Sequence, residues 1–219
     1  MIVFEAKLQG TSNQYRVIDE MIRAGRFVRN SCLRYWMDNR GVGRLDLNKY
    51  CKVLSDNIVE FPWVSKLNSM ARQAMAERAW SAIARFFDNC RNNILGKKGF
   101  PKFKQEQTHQ SVEYKTSGWK LSEDRREITF TDGFAAGTFK MWGTRDLHYY
   151  QIEQIKRVRV VRRADGYYTQ FCIDQERNET RELTGKNIGI DVGLNHFLTD
   201  SQGNQIEQGY FILKGTILW

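Results

Sequence analysis

The first ten residues, MIVFEAKLQG, constrain everything that follows them. Ile2, Phe4, Ala6 and Leu8 alternate with Val3, Glu5 and Lys7, the two-residue period of a strand with one face more fully buried than the other. A lone strand leaves backbone N–H and C=O groups unpaired, so it has to find a partner later in the chain. No candidate follows directly. From residue 13 to about 95 the apolar residues recur at helical spacing, and strand-like alternation returns only from about residue 111. The expected class is α+β, with a helical segment interrupting a strand-rich one.

In the helical segment, TSN at 11–13 offers capping side chains, and Ile18, Met21, Ile22, Gly25, Val28, Cys32 and Tyr35 mark a helix that ends near DNRGVG. A second helix is expected from Asp46 as cap through Leu47, Tyr50, Leu54 and Ile58 to the breaker FPW. A third begins after Asn68-Ser69 and carries Met75, Ala79, Ala82, Phe86, Cys90 and Ile94 on one face, with Arg78 and Arg85 on another. The pair Phe86-Phe87 reads as core. Arg23, Arg26 and Arg29 follow at three-residue steps, away from the apolar stripe, and read either as a solvated basic face or as one that contacts phosphate.

The texture changes at GKKGFPKFKQEQTHQS. Glycines and Pro101 break any helix, while Lys97, Lys98, Lys102 and Lys104 interleave with Phe100 and Phe103. Cations attract phosphates and exposed rings stack on bases, so this mixture suits single-stranded or structured RNA; the alternative is a basic linker with its phenylalanines turned inward. Strands are expected in SVEYKT, EITFTD, GTFKMWG and KRVRVVRRADGYYTQFCID. In the last, Val158 and Val160 alternate with Arg157 and Arg159, and RRADG supplies a hairpin turn. One face of that hairpin is apolar and the other basic, with Lys156, Arg162 and Arg163 adding to it, and the N-terminal strand is a natural candidate to complete the sheet.

Charge agrees with this placement. Thirty-four Lys and Arg against 25 Asp and Glu leave +9, which favours a polyanionic partner. Cys32, Cys51, Cys90 and Cys172 lie far apart without a CxxC pair, so neither a zinc site nor a disulfide framework is expected. With no membrane-length apolar run and no signal-peptide pattern, a soluble, cytoplasmic protein is expected.

Near the end, GKNIGIDVGLNHFLTDSQGNQIE places Asp191 in an apolar run whose periodicity reads as a buried strand, followed by a turn at 200–204 and a return strand from Ile206. Such a strand–turn–strand unit opens the fold of ribonuclease H-like nucleases, where carboxylates hold two Mg²⁺ ions about 3.5–4 Å apart. DxG also occurs in ordinary turns, and the same hairpin opens sugar kinases and actin-like ATPases.

The ordered set RAGRFVRN, FPWVSKLNSMARQAMAERAWSAIARFF, GFPKFK, VRVVRRADGYYTQFCI, GIDVGL and DSQGNQIE resembles the N-terminal half of the TnpB (OrfB) proteins of bacterial insertion sequences, relatives of the miniature type V CRISPR effectors. The resemblance implies an RNA-guided DNA endonuclease linked to transposition. It implies a strand-rich wedge domain at 1–12 and 99–182, a helical recognition domain at 13–98, and an incomplete ribonuclease H-like RuvC segment at 183–219 starting near Thr184. Guide RNA and target DNA would be the partners, with Asp191 as first catalytic aspartate and metal ligand and Ser69, Met70 and Gln73 beside the target's short DNA motif. The family's other carboxylates and its CxxC zinc element are not in this sequence, and the ending GYFILKGTILW reads as a truncated or frameshifted tail. The resemblance therefore implies Mg²⁺ only if a second polypeptide or longer form completes RuvC, and no cleavage by this chain alone. A nuclease-dead regulator that binds RNA or DNA, and a helix-turn-helix DNA-binding protein, are the alternatives.

Overall fold

The structure, a computed structural model, describes residues 1–107, 110–143, 147–176, 185, 187–193 and 196–207. It divides into two compact units, Met1–Arg177 and Asn178–Trp219.

In the first unit β1 (Ile2–Gln9) runs into α1 (Ser12–Asp38), followed by α2 (Arg44–Asp56), the short α3 (Pro62–Lys66) and α4 (Ser69–Arg91). Six strands follow: β2 (Ser111–Tyr114), β3 (Trp119–Leu121), β4 (Glu127–Phe130), β5 (Gly137–Trp142), β6 (Ile155–Arg163) and β7 (Gly166–Ile173). One antiparallel sheet takes them in the order β2-β6-β7-β1-β5-β4-β3. The N-terminal strand thus pairs as expected, but in the middle of the sheet: Lys7 faces Tyr168 on one side and Trp142 on the other. Phe4, Ala6 and Leu8 are its buried set.

Chain connectivity forces this sheet to curl. β2 and β3 lie at opposite edges, yet only residues 115–118 join them. Five residue steps span at most about 18 Å. Seven strands laid flat would hold their outer edges about 29 Å apart at the usual strand spacing. The sheet resolves the mismatch by bending its edges toward each other around Tyr114, Trp119, Phe130, Phe139 and Phe171, all buried. The Tyr114 hydroxyl donates to Asp132 Oδ2 at 2.7 Å across the gap. Burial in this contact pushes the Tyr114 phenol well above its ordinary value, and the neighbouring carboxylate adds to the shift.

Helices and sheet share a single hydrophobic core. Gly25 of α1 lies where a Cβ would come within 3.0 Å of Val112 in β2, so the absence of a side chain lets α1 approach the strand. Capping side chains start the two long helices. Thr11 caps α1 in a reciprocal pair with Gln14, and Asn68 caps α4 by accepting from Met70 N at 2.8 Å. Asp46 does not begin α2: it sits in the first turn and accepts from the Gly43 N–H at 2.9 Å, so the helix starts earlier, at Arg44.

Three further expectations change. Ile58 and Ile94 lie beyond the helix ends and are exposed. Phe87 is exposed too, and Phe86 is half-buried, because α4 turns its alanines and Met75 to the core and leaves this pair in a peripheral ring cluster with Trp36 and Phe100. Arg29 is buried, at 3% exposure, rather than on a shared basic face. Three-residue steps on a helix of about 100° per residue rotate by about 60° each, so Arg23 is exposed, Arg26 half-buried and Arg29 turned into the packed side.

The second unit contains β8 (Ile190–Asp191), β9 (Leu198–Asp200) and β10 (Gln205–Ile206), paired antiparallel in that order. Ile188, Ile190 and Val192 are 57–67% exposed, which corrects the reading of this run as a buried strand. None of the described residues of this unit is buried. The expected start at Thr184 and the tail from Gln208 lie outside the described residues.

Candidate nucleic-acid interface

Helix α1 is the spine of the basic surface. The segment after α4 lies without regular structure against it and is pinned by side-chain amides. Asn30 Nδ2 donates to the Lys104 carbonyl at 2.9 Å, and the Lys104 N–H donates back to Asn30 Oδ1 at 2.9 Å. Arg29 donates to the Lys102 carbonyl at 3.3 Å, and Asn89 of α4 to the Lys98 carbonyl at 3.0 Å. With the backbone held, Lys97, Lys102, Phe103 and Lys104 direct their side chains to solvent, Phe103 at 44% exposure. Lys98 is half-buried and donates to the Ile94 carbonyl. Phe100 packs its ring edge-on against Phe86 at 5.2 Å and is itself 53% exposed, so both phenylalanines present surface to solvent.

Beside this strap, a groove of about 230 Å³ is lined by Arg23 and Arg26 of α1, Arg162 of β6, Asp19, Glu106 and Gln110. Arg162 pairs with Asp19 at 3.1 Å and Arg26 with Glu106 at 3.8 Å. Tyr167 donates to the same Asp19 at 2.9 Å and stacks on Tyr15 at 4.8 Å. Burial and the Asp19 carboxylate push the Tyr167 phenol up to about 12, so it remains a donor at neutral pH. Arg23 has no carboxylate within ion-pair distance among the described residues.

The cationic face of the β6–β7 hairpin is not a free one. Pairing of β2 with β6 sets Glu113 opposite Arg159, and Glu113 is only 2% exposed. Arg159 reaches Glu113 Oε2 through Nη2 at 2.8 Å and also donates to Gln170 at 3.1 Å, and Arg157 pairs with the other carboxylate oxygen. Arg157 continues to Glu77 of α4 at 3.1 Å, where Arg44 at 2.7 Å and Lys115 at 2.9 Å also converge. Arg78, nearby, donates to the Ser111 hydroxyl at 3.1 Å. Burial alone would raise the Glu77 carboxyl, but hydrogen bonds from Lys115, Arg44 and Arg157 outweigh it and hold it at about 2. Glu113 is lowered for the same reason, against the opposing effect of its burial. Desolvation lowers Arg78, with Glu113 opposing. Arg163 pairs with Glu5 at 2.6 Å, and Lys156 donates to the Glu153 carbonyl at 2.9 Å.

The structure thus gathers Arg23, Arg26 and Arg162 into one groove and Arg157 and Arg159 into one ion network, with Arg78 beside it bound to Ser111. Arg85 is exposed on α4, and Ser69, Met70 and Gln73 sit in the first turns of that helix, exposed or half-buried. Glu77, Glu113, Arg44 and Lys115 were not singled out by sequence. Their only early signal is a glutamate within the otherwise apolar SVEY, and its partner becomes visible only with the strand register.

Asp191 is exposed on β8 opposite Thr199. Asp200 is used by its turn, accepting from the N–H groups of Gln202 at 2.8 Å and Asn204 at 2.9 Å, and these bonds together with the Asn204 side-chain amide keep its carboxyl low. Among the described residues no group of three or more His, Cys, Asp or Glu could hold a metal ion. One strand aspartate with its neighbouring carboxylate committed to a turn does not fit a Mg²⁺ pair. No described helix is long and apolar enough to cross a membrane.

No protein-family model and no curated protein matches the chain. Among solved structures it is similar to a chain of a CRISPR-Cas12f ternary complex seen by cryo-EM, with a TM-score of 0.38 and 11% identity. The match covers 87% of this chain and 48% of that one, so this chain spans about half its length. A likeness at that level assigns neither a fold family nor a function.

Proposed function

We propose that this chain is the nucleic-acid-binding part of a TnpB-like RNA-guided protein, holding a guide RNA and target DNA. The observation that carries the reading is the strap: a backbone clasped to Asn30, Arg29 and Asn89 while Lys102, Phe103 and Lys104 face solvent. Fixed cations beside an exposed ring suit a strand that offers phosphates and an unstacked base, because little side-chain and backbone freedom is left to lose on binding. The ordered sequence motifs support the TnpB assignment.

On this reading Asp191 does not act as a nuclease site by itself, and Mg²⁺ chemistry requires carboxylates from a second polypeptide or a longer form. Two measurements test the proposal. Nucleic acid copurifying with the protein is sequenced, and a noncoding RNA encoded beside its own gene is expected; protein free of nucleic acid that binds RNA without salt dependence, or not at all, would overturn the reading. Incubation with guide RNA, target DNA and Mg²⁺ is expected to give no cleavage, and cutting abolished by Asp191→Ala would overturn the inert assignment.

A further inference from the structure

Arg23 also lines a second pocket, of about 440 Å³, which opens between α1, α3 and the loop after β4. Glu20, Arg23, Phe27, Trp63, Lys66 and Phe134 line it. Its size falls in the range of small-ligand sites, about 300–1,000 Å³. Phe27 and Trp63 form its aromatic wall, with centroids 5.8 Å apart and planes at 76°, and Phe61 packs against both rings. The two wall rings meet edge-on, and Trp63 is 40% exposed, so part of its indole is open to a planar guest.

Two features separate this pocket from an ordinary satellite of the core. Its frame is fixed: the Gly133 N–H donates to the Lys66 carbonyl at 2.8 Å, and a Cβ at 133 would stand 2.9 Å from Lys66 Cα, so the Phe134 loop and the end of α3 meet backbone to backbone. Its rim also carries two cations, Arg23 and Lys66, neither with a carboxylate at ion-pair distance among the described residues. Rings flanked by unpaired cations call for a ligand with a flat apolar body and an anion within reach of it. Arg23 is a wall of both cavities, so a strand with phosphates in the basic groove has its neighbouring base at the mouth of the aromatic one.

We infer that this pocket takes one unpaired nucleobase of the bound strand, stacked on Trp63, with Arg23 and Lys66 holding the flanking phosphates. The inference rests on the reading of the chain as a nucleic-acid binder. Stacking of this kind is sequence-tolerant, because every base offers a π face.

The test uses the full chain freed of nucleic acid, with fluorescence anisotropy on a labelled single-stranded RNA and on the same backbone carrying abasic residues. Trp63→Ala is expected to weaken RNA binding about 5- to 150-fold. Abasic-strand affinity and the slope of log K against log salt stay at wild-type values, and Trp63→Phe keeps most of the RNA affinity. RNA should also quench tryptophan fluorescence in the wild type, and that quenching should fall in Trp63→Phe, a variant that preserves packing if Trp63→Ala does not fold. Unchanged RNA affinity and quenching in these variants, or equal losses on both strands, would remove the pocket assignment and leave the nucleic-acid reading standing. A wild-type chain that binds neither strand would remove both.

Discussion

Glu113 is the point where the network between sheet and helices is most exposed to a single change. Its carboxylate is 2% exposed and receives Arg157 and Arg159, whose side chains are 35% and 32% exposed. Glu113→Gln keeps the shape and removes the charge, leaving two guanidinium groups partly buried beside a neutral amide. Removing one partner of a fully buried pair costs about 3–5 kcal/mol. Here each arginine keeps a second partner, Glu77 or Gln170, and part of its solvation, which lowers the expected cost to about 2–3 kcal/mol. For a chain of this size that corresponds to a melting temperature lower by about 4–12 °C. Urea unfolding should show a lower midpoint with an unchanged slope, since the buried area is the same. The pH dependence provides the control. Because Glu113 is depressed in the folded state, its contribution is present above the ordinary carboxylate value and is lost as pH falls through the folded one. The gap between wild type and Glu113→Gln should therefore be full at pH 7 and shrink below about pH 4. A cost under about 1 kcal/mol, or a gap that does not close in acid, would refute the buried-charge argument.

Asn30→Ala removes both hydrogen bonds that clasp Lys104, worth about 1–3 kcal/mol together, and should speed tryptic cleavage at Lys102 and Lys104 with little change in global unfolding. Gly133→Ala places a methyl group 2.9 Å from Lys66 Cα, where backbone cannot yield cheaply; a loss of about 1–3 kcal/mol is expected in denaturant unfolding. Arg23→Ala should reduce the salt slope of RNA binding by about 0.7–0.9, whereas Arg157→Ala with Arg159→Ala should reduce it by less than two such steps, because Glu113 and Glu77 already neutralise part of their charge. Anisotropy titrations at several salt concentrations read both slopes.

The sequence by itself determined the period of each segment and, from it, most of the faces that turn inward. Phe4, Ala6 and Leu8 are buried on β1, Ile18, Met21, Ile22, Val28 and Cys32 on α1, and Val158 and Val160 on β6. It also placed a cap for α1 within TSN at 11–13, the start of α4 beside Asn68-Ser69 and the hairpin turn before Gly166, because these depend on residues within one turn of each other. Only the tertiary structure decided which charges meet. Arg159 is paired with Glu113 because β2 lies against β6, and Arg29 is buried because three-residue steps walk around a helix. The clasp at Asn30 joins residues 74 apart, and the aromatic pocket draws on three separate segments. Periodicity reports on how one segment meets its surroundings. Register, sheet closure and ion pairing are set between segments, where the sequence carries complementary residues without saying which of them will face each other.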